Sequence, residues 1–379
     1  MAEIAVPAGL AGVVVADTKI GEVRGEEGFY HYRQYSATEL AEKRSYEDVW
    51  CLMLHGELPV TKAESAKFAQ QVAGLRSLPP TLAGALPILA KSSAPLDALR
   101  SAVSMLGAEL GWKATYDLDH AEILQQGLRL GATIPTILAA AYRIRNGQEP
   151  TPPRADLGHA ANYLWMVTGQ APDPTYARAL EQYLIATIDH GFNASTFTGR
   201  VVASTGADLA AAVCGAIGAL SGPLHGGTPS RALEMLDAIG KPENTEAYVR
   251  DVVKRDGRVM GFGHRLYRTE DPRAALMRNV ALRLGGELPN FAIQVEKTVT
   301  SVLAELKPGR RLYVNVEFYA GPAMHACGLP PEMFTPTFAS SRSVGWVANI
   351  LEQAANNRII RPSARYVGPP PPMPVPALA

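Results

Sequence analysis

Apolar residues recur along most of the chain at intervals of three and four, the spacing that places them on one face of an α-helix. Glycine and proline interrupt these runs where helices would be expected to end. Four runs follow this pattern and are predicted to be single helices: 37–54, 96–106, 177–190 and 201–220. The hydrophobic pattern therefore predicts a mainly helical protein.

Two further helices are predicted from their first residues. Thr228-Pro229 and Asp271-Pro272 each place a capping side chain before a proline. This combination is typical of a first helical turn, because proline there has no N–H group to leave unpaired. Glycines at positions 240 and 285–286 predict where the two helices end.

Alternation of apolar and polar residues, the pattern of a half-buried strand, occurs in two places. The first, 12–35, contains Gly25-Glu-Glu-Gly28, which predicts the turn of a small hairpin. The second, 312–318, is predicted as a strand that is too short to build a sheet alone. The predicted fold class is mainly α with a minor N-terminal β-hairpin, and the proline-rich segment 368–376 is predicted to be extended and poorly ordered.

The composition supports a folded globular protein. Of 379 residues, 47% are apolar and 19% are charged, below the roughly 25% charged residues of an average globular protein. Lysine plus arginine and aspartate plus glutamate number 36 each, so no net charge attracts nucleic acid or an acidic membrane surface. We therefore predict neither nucleic acid nor a membrane as a partner.

Cysteine usage and the apolar runs indicate the cellular compartment. The three cysteines are widely separated, so neither a disulfide framework nor a zinc-site spacing can be built from them. The longest strongly apolar run, 209–220, is shorter than the ~20 residues that span a bilayer, and no basic residue precedes Lys19 to mark a secretory signal. These features predict a soluble protein of the cytoplasm. Asp117-Leu-Asp119-His120 lacks partner ligands, so we interpret it as an exposed helix start and predict no metal.

A histidine in a glycine-rich loop is the first candidate for chemistry. Two glycines follow His225 within 221–229, which allows a ligand to approach the backbone closely. The predicted helix start at Thr228 would favour a nearby anion and lower the imidazole pKa, leaving a neutral ring that can donate one hydrogen bond. A histidine whose hydrogen bonds are satisfied within a tight turn is equally compatible with this segment.

The segment 259–273 combines His264 with Arg265, Arg268 and Arg273. The planar fork of arginine suits carboxylate and phosphate, so the segment predicts an anionic ligand. A solvated basic loop is the alternative, and it fits Arg265 better than the other two arginines.

Glu317 lies between Val316 and Phe318 in the second alternating segment. Apolar neighbours should desolvate its carboxyl and raise its pKa, which makes Glu317 a candidate proton acceptor. On an ordinary alternating strand, the same residue would face outward into solvent.

Four other polar residues accompany these segments. His190 and Asn193 interrupt an apolar helical pattern, and Arg361 lies in a basic stretch near the end of the chain. Arg342 lies in a helical run that looks largely buried, where an unpaired charge is costly and a bound carboxylate would offset the cost.

Taken in order, these segments resemble the citrate synthase family. The matching motifs are H-x-x-N-A-S-T-F, G-P-L-H-G-G, M-G-F-G-H-R-x-Y-x-x-x-D-P-R, N-V-x-F-Y, R-x-x-G-W and I-I-R-P. The likeness extends to 24–33 and 54–59, and so covers nearly the whole chain apart from the proline-rich tail. The chain is most similar to the shorter bacterial and archaeal branch, which includes 2-methylcitrate synthases.

The resemblance implies a mostly helical homodimer. Residues 1–224 and 331–379 would form a large domain, and 225–330 a small domain that closes over substrate. Members of the family condense oxaloacetate with acetyl-CoA, hydrolyse the resulting thioester and release citrate and CoA. Neither a permanently bound cofactor nor a metal is implied.

The resemblance also implies roles at the matching positions. His225 would hydrogen-bond the thioester carbonyl and stabilise its enol. Glu317 would remove the methyl proton, and His264 would polarise and then protonate the ketone of oxaloacetate. The oxaloacetate-binding residues would be His190, Asn193, Arg273, Arg342 and Arg361 of the partner subunit. Arg268 would contact the phosphates of CoA.

Glu317 stands where the family usually has aspartate. The extra methylene displaces the carboxylate by ~1 Å unless the backbone compensates, and such a displacement can cost on the order of 10²-fold in rate. One hypothesis is an active synthase with an adjusted pocket, which the remaining histidines and arginines favour. The other is a regulatory binder of oxaloacetate and acyl-CoA with weak chemistry. For an active synthase, acetyl-CoA is the expected acyl donor, and propionyl-CoA, which would give 2-methylcitrate, is the alternative.

Overall fold

The computed structural model describes residues 6–91, 93–226 and 228–377. Within these ranges the chain forms sixteen α-helices: α1 Ala37–Lys43, α2 Tyr46–His55, α3 Lys62–Ala73, α4 Pro80–Ala90, α5 Pro95–Glu109, α6 His120–Arg145, α7 His159–Thr168, α8 Pro174–Thr187, α9 Ala194–Ser204, α10 Leu209–Leu220, α11 Thr228–Ile239, α12 Thr245–Lys254, α13 Pro272–Leu284, α14 Glu287–Leu306, α15 Val316–Ala326 and α16 Phe334–Ala355. The same ranges contain three short strands: β1 Gly21–Arg24, β2 Phe29–Tyr32 and β3 Tyr35–Ser36. The predicted fold class, mainly helical with a small sheet, is confirmed.

The predicted hairpin is present and is attached to the end of α8. β1 and β2 pair antiparallel around the predicted glycine turn, and β3 adds a third strand that was not predicted. The hydroxyls of Tyr30 and Tyr32 donate to the main-chain oxygens of Ala186 (3.1 Å) and Ile185 (2.8 Å). These carbonyls belong to the last turn of α8, where main-chain oxygens lack the regular partner four residues further along a helix. The sheet therefore fixes the end of the helix that precedes His190.

Two runs predicted as single helices each form two helices, so the prediction was wrong there. The run 37–54 is divided between α1 and α2, because the Ser45 side chain accepts the backbone N–H of Asp48 (3.1 Å) and starts a new helix. The run 201–220 is divided between α9 and α10, where Asp208 caps α10 in the same way. The apolar spacing continues through both breaks, so only the capping side chains mark them.

The helices predicted over 96–106 and 177–190 are confirmed as α5 and α8, with shifted ends. The first run was predicted to end at residue 106, but the next residue, Gly107, lies inside α5. A Cβ atom at Gly107 would lie 2.6 Å from Cβ of Ala210. Glycine is therefore present because α5 and α10 approach closely, and it does not mark a helix end.

The helices predicted from Thr228 and Asp271 are α11 and α13. Asp271 caps α13 by accepting the backbone N–H of Arg273 (3.0 Å), whereas the side chain of Thr228 lies outside the described residues. Asp119 caps α6 in a reciprocal pair with Glu122, which confirms the interpretation of 117–120 as a helix start. Among the residues that the structure describes, no cluster of three or more side chains could hold a metal ion.

The strand predicted over 312–318 is wrong. Val314 forms only an isolated bridge with Phe262. α15 begins directly after Asn315, whose side chain accepts the backbone N–H of Glu317 (3.1 Å). Asparagine is a strong helix cap, and its effect outweighed the alternation of apolar residues. Glu317 therefore lies in the first turn of a helix.

α16 occupies the centre of the molecule. It is buried over most of its length and packs against α2, α6, α8, α9 and α10. The helices α11 to α15 pack largely against one another, with α11 and α13 on α15 and α12 on α14. They meet the other helices where α8 contacts α13 and α15 and where α11 contacts α16. A continuous hydrophobic core runs through both groups.

No helix in the described ranges is both long enough and apolar enough to cross a membrane. Beyond α16, residues up to 377 form neither helix nor strand, and the proline-rich segment is exposed. This agrees with the extended tail predicted from the sequence.

Candidate active site

Two histidines from separate motifs lie side by side. His190 follows α8 and His264 lies in the loop before α13, and their ring centroids are 5.4 Å apart. The hydroxyl of Tyr267 is 3.0 Å from Nε2 of His190, and its ring packs against His264. Burial lowers the pKa of His190 and lowers that of His264 to about 4. Both imidazoles are therefore neutral near pH 7.

A buried ion pair lies next to these rings. Arg273 pairs with Asp271 through two contacts, Nη2 to Oδ2 (2.9 Å) and Nε to Oδ1 (3.0 Å). Asp271 also accepts the backbone N–H of Val316 (3.2 Å). One carboxylate thus holds the starts of α13 and α15 together and fixes the guanidinium of Arg273 beside His264.

The hydrogen bonds of His264 indicate which ring nitrogen faces the ion pair. Nδ1 accepts the backbone N–H groups of Leu266 (3.1 Å) and Tyr267 (3.2 Å). We therefore assign the hydrogen of the neutral ring to Nε2, which lies 3.4 Å from Nη2 of Arg273. Two N–H donors that face each other need a shared acceptor. The geometry favours a ligand with an electron-rich oxygen at this point.

His225 is held through Ser195, at the start of α9. Nε2 of His225 lies 2.8 Å from Oγ of Ser195 and accepts the Ser195 backbone N–H (3.3 Å). The Ser195 hydroxyl has one hydrogen, which can be donated to Nε2 of His225 or to Oδ1 of Asn193 (2.8 Å), and it accepts from the indole of Trp346 (3.1 Å). Burial, followed by the positive charge of Arg342, lowers the pKa of His225 to about 4. The ring is neutral as predicted, although burial, and not the following helix start, is the main cause.

The carboxyl of Glu317 is buried at the start of α15. Within the described part of the chain, its Oε2 atom has no hydrogen-bond partner. Burial raises the pKa of Glu317 to about 7, and the charges of Arg273 and Arg342 oppose this rise while Asp271 adds to it. A carboxyl that is partly ionised near neutral pH can accept a proton.

Arg342 is buried on α16, as the sequence predicted. It is 1% exposed, and its Nε donates to the main-chain oxygen of Thr187 (2.8 Å). Its charge lowers the pKa of His190, His225 and Glu317. The positive charge of Arg342 therefore affects the pKa of three predicted site residues.

Three predicted residues are not joined to the histidine pair. Asn193 caps α9 by accepting the backbone N–H of Thr196 (3.1 Å). The side chain of Arg268 is 63% exposed and lies 3.9 Å from Glu26, and Arg361 is exposed beyond α16. In the described ranges of this single chain, no hydrogen bond or ion pair links these three side chains to the histidine pair, and the same holds for His225, Glu317 and Arg342. Their substrate roles stay predictions.

Sequence reasoning missed several residues that organise the site. Tyr267 and Ser195 lie within the motifs but were given no role, and Asp271 was predicted only as a helix cap. Tyr267 is 77 positions from His190, and Ser195 is 30 positions from His225. The available signal was that Tyr267 lies close in sequence to His264 and Ser195 lies close to Asn193. The pairings with His190 and His225 depend on the fold and could not be read from the sequence.

Comparison with known sequences gives matches over nearly the whole chain. The family profile described as "Citrate synthase, C-terminal domain" matches residues 9–363. The citrate synthase of Mycolicibacterium smegmatis is 40% identical over 365 residues, covering 96% of this chain and 95% of the relative. The 2-methylcitrate synthase of Mycobacterium tuberculosis is 39% identical over 361 residues, covering 95% and 90%.

Solved structures agree with these matches. Citrate synthase from Thermotoga maritima superposes with a TM-score of 0.87 at 34% identity, covering 98% of both chains. Citrate synthase from Thermoplasma acidophilum, in a ternary complex with carboxymethyl coenzyme A and oxaloacetate, gives 0.90 at 28% identity and the same coverage. The fold and the matched sequences define a helical acyltransferase. The chain belongs to the citrate synthase family.

Proposed function

We propose that the chain condenses acetyl-CoA with oxaloacetate and hydrolyses the resulting citryl-CoA to citrate and CoA, without a permanently bound cofactor. The observation that carries this proposal is the burial of the Glu317 carboxyl, which raises its pKa to about 7 although the charges of Arg273 and Arg342 act to lower it. The α-proton of a thioester is weakly acidic. Its removal needs a positioned base and a hydrogen-bond donor at the oxygen where charge develops. The chain supplies both kinds of group.

Glu317 and His225 are proposed to form the enol. The ionised carboxylate of Glu317 takes a proton from the methyl group of acetyl-CoA, and the electron pair moves towards the thioester oxygen. Because Nε2 of His225 accepts the backbone N–H of Ser195, we assign the hydrogen of the neutral ring to Nδ1. That N–H donates to the thioester oxygen, and the resulting enol carbon attacks the ketone of oxaloacetate.

Oxaloacetate is proposed to bind beside His264 and Arg273, where two N–H donors face each other. The Nε2–H group of His264 polarises the ketone and then gives its proton to the oxygen that becomes a hydroxyl. Several cations suit a ligand with two carboxylates. The proposed oxaloacetate-binding residues are His190, Asn193, Arg273, Arg342 and Arg361 of the partner subunit.

The phosphates of CoA are proposed to contact Arg268, whose side chain is largely exposed. A cavity of about 260 Å³ between the end of α14 and the start of α15 offers further contacts. Lys307, Arg310 and Arg311 line it. Three cations around one cavity suit phosphate groups, so we include them in the proposed site for the nucleotide end of CoA.

Two domains, 1–224 with 331–379 and 225–330, are part of the proposal. The packing of α11 to α15 against one another supports this division, and so do the contacts of His190 with Tyr267 and His264, which join the two proposed domains. Closure of the smaller domain would exclude water until condensation is complete. A homodimer, which would bring Arg361 to a neighbouring site, and a location in the cytoplasm stay predictions.

The test is oxaloacetate-dependent release of free thiol from acetyl-CoA. We expect release that saturates with both substrates. No release at any pH from about 6 to about 9 would contradict the proposal, because this range brackets the ionisation of the base. Calorimetry that shows oxaloacetate binding without turnover would instead support a regulatory binder.

A second candidate is 2-methylcitrate synthesis from propionyl-CoA. The observation that favours it is the 39% identity to the 2-methylcitrate synthase of M. tuberculosis. One methylene changes discrimination by only ~1–3 kcal/mol, so few pocket residues are needed to change the preferred acyl group. Initial rates with acetyl-CoA and propionyl-CoA, compared at the same oxaloacetate concentration, distinguish the two activities.

A further inference from the structure

Two buried polar groups in the neighbourhood of the proposed base have no hydrogen-bond partner. Among the described residues, the buried atoms without a partner include the hydroxyl of Tyr183 and the Oε2 atom of Glu317. The side chain of Tyr183 is completely buried. Most buried polar atoms in folded proteins are hydrogen-bonded, because an unpaired one has lost its water without replacement. Two such atoms in one region therefore require an explanation.

The two groups lie on helices that touch. Tyr183 is on α8 and Glu317 is in the first turn of α15, and these helices pack against each other. After burial, the charge of Glu317 is the next largest cause that raises the pKa of Tyr183, and Arg342 and Arg273 act on both groups. A phenol has a hydrogen to donate, whereas an ionised carboxylate has only acceptors. The two groups are chemically complementary.

We propose that Tyr183 is a positioning residue for the base: its hydroxyl donates a hydrogen bond to the ionised carboxylate of Glu317 when α15 closes on α8. The inference rests on the proposed function, in which Glu317 takes the proton from the acyl-CoA. A small approach of the helices is required, because the structure shows α8 and α15 in contact with both groups unbonded. Glutamate has one methylene more than aspartate, which gives its carboxyl more reach towards a neighbouring helix.

Four other ionisable groups that are largely buried on the surrounding helices already have partners. They are Arg273, bound to Asp271; Arg342, bound to the Thr187 carbonyl; Glu296 of α14, bound to Tyr319 and Arg278; and Tyr163 of α7, bound to Thr337. No charged group in the described part of α11 contributes to the pKa of Glu317. The hydroxyl of Tyr183 and the carboxyl of Glu317 have no such partner and are therefore available to each other.

The proposal makes a pH-dependent prediction for Tyr183→Phe, which removes the hydroxyl and keeps the ring. A hydrogen bond to the ionised form lowers the pKa of Glu317, so its loss should raise that pKa. We expect the acid limb of kcat/KM for acetyl-CoA, at saturating oxaloacetate, to move upward by about one pH unit. Below the limb the rate should fall about tenfold, with less than about a twofold change on the alkaline plateau. A merely structural role would lower the rate equally at all pH values.

Tyr163→Phe is the matched control. The hydroxyl that it removes is equally buried but is hydrogen-bonded to the hydroxyl of Thr337 (3.1 Å). The acid limb of the Tyr163→Phe variant should therefore not move. Thermal unfolding checks both variants, and Tyr183→Phe should be no less stable than the parent because its hydroxyl has no partner in the structure. An unmoved limb in Tyr183→Phe would overturn the inference.

A second background tests whether the effect passes through the carboxyl. In Glu317→Asp the shorter side chain withdraws the carboxylate, so adding Tyr183→Phe should no longer move the acid limb. A shift of the same size in that background would refute a direct bond. If the parent chain releases no thiol at all, the proposed function fails and the inference fails with it. An active parent with an unmoved limb refutes the inference alone.

Discussion

Replacing Glu317 by glutamine tests the proposed base and its electrostatic cost together. The change keeps the length of the side chain and removes its titration. Burial raises the pKa of Glu317 from the ordinary 4.5 to about 7. Because the base must be ionised, turnover of the parent should fall below neutral pH, to about one tenth at one unit below the pKa. Glu317→Gln should be slower than the alkaline plateau of the parent by on the order of 10²- to 10⁴-fold, and its residual rate should not show the acid limb.

The same pKa shift predicts that Glu317→Gln stabilises the fold at alkaline pH. A raised carboxyl pKa means that the folded state disfavours the ionised form. The stability contributed by this carboxyl is therefore fully present below about pH 4.5 and is lost as the pH rises to about 7. A shift of about 2.5 units corresponds to about 3 kcal/mol. The glutamine variant avoids this loss, so its melting temperature should exceed that of the parent by a few degrees near pH 8.

Two measurements check this prediction. Thiol release across the pH range reports the base, and thermal unfolding near pH 4 and near pH 8 reports the electrostatic cost. Glu57→Gln, at an exposed position, is the control and should change neither. Turnover retained in Glu317→Gln would show that the base is assigned wrongly. A melting-temperature difference that is the same at both pH values would show that burial of the charge is not its cause.

Three other substitutions test separate parts of the structure. Ser195→Ala removes the hydroxyl beside His225, so kcat should fall about tenfold without a change in KM for oxaloacetate; an unchanged kcat would show that Ser195 does not hold the imidazole. Arg311→Gln should raise KM for acetyl-CoA severalfold, more at low than at high salt, and an effect on oxaloacetate alone would exclude the proposed phosphate site. Gly107→Ala should destabilise the fold by about 1–3 kcal/mol in thermal unfolding, whereas Gly84→Ala, with open space at the Cβ position, should not.

Local capping chemistry explains which parts of the fold were predictable. Asp271 before a proline predicted the start of α13, because the signal and the hydrogen bond lie within three residues. The breaks before Ser45 and Asp208 were missed, since the apolar face continues through them. At Asn315 the same kind of cap was outweighed in the prediction by an alternating pattern, and a helix was predicted as a strand.

The site was predictable as a set of residue types and only partly as an arrangement. His264 and Arg273 lie close together in sequence, and the structure brings them into contact. The contact between His190 and Tyr267 depends on helices far apart in the chain. Tyr183 had no signal, because within its helix it has the position of an ordinary core residue, and its importance follows from what α15 places near it.

The hydroxyls of Tyr30 and Tyr32 make the N-terminal strands part of the support of His190. A chain trimmed to begin after β3 would leave the carbonyls at the end of α8 without these donors, and the backbone that carries the histidine would be held less firmly. Loss of these strands is therefore expected to weaken the support of the proposed oxaloacetate site, although the strands contain none of the proposed catalytic groups.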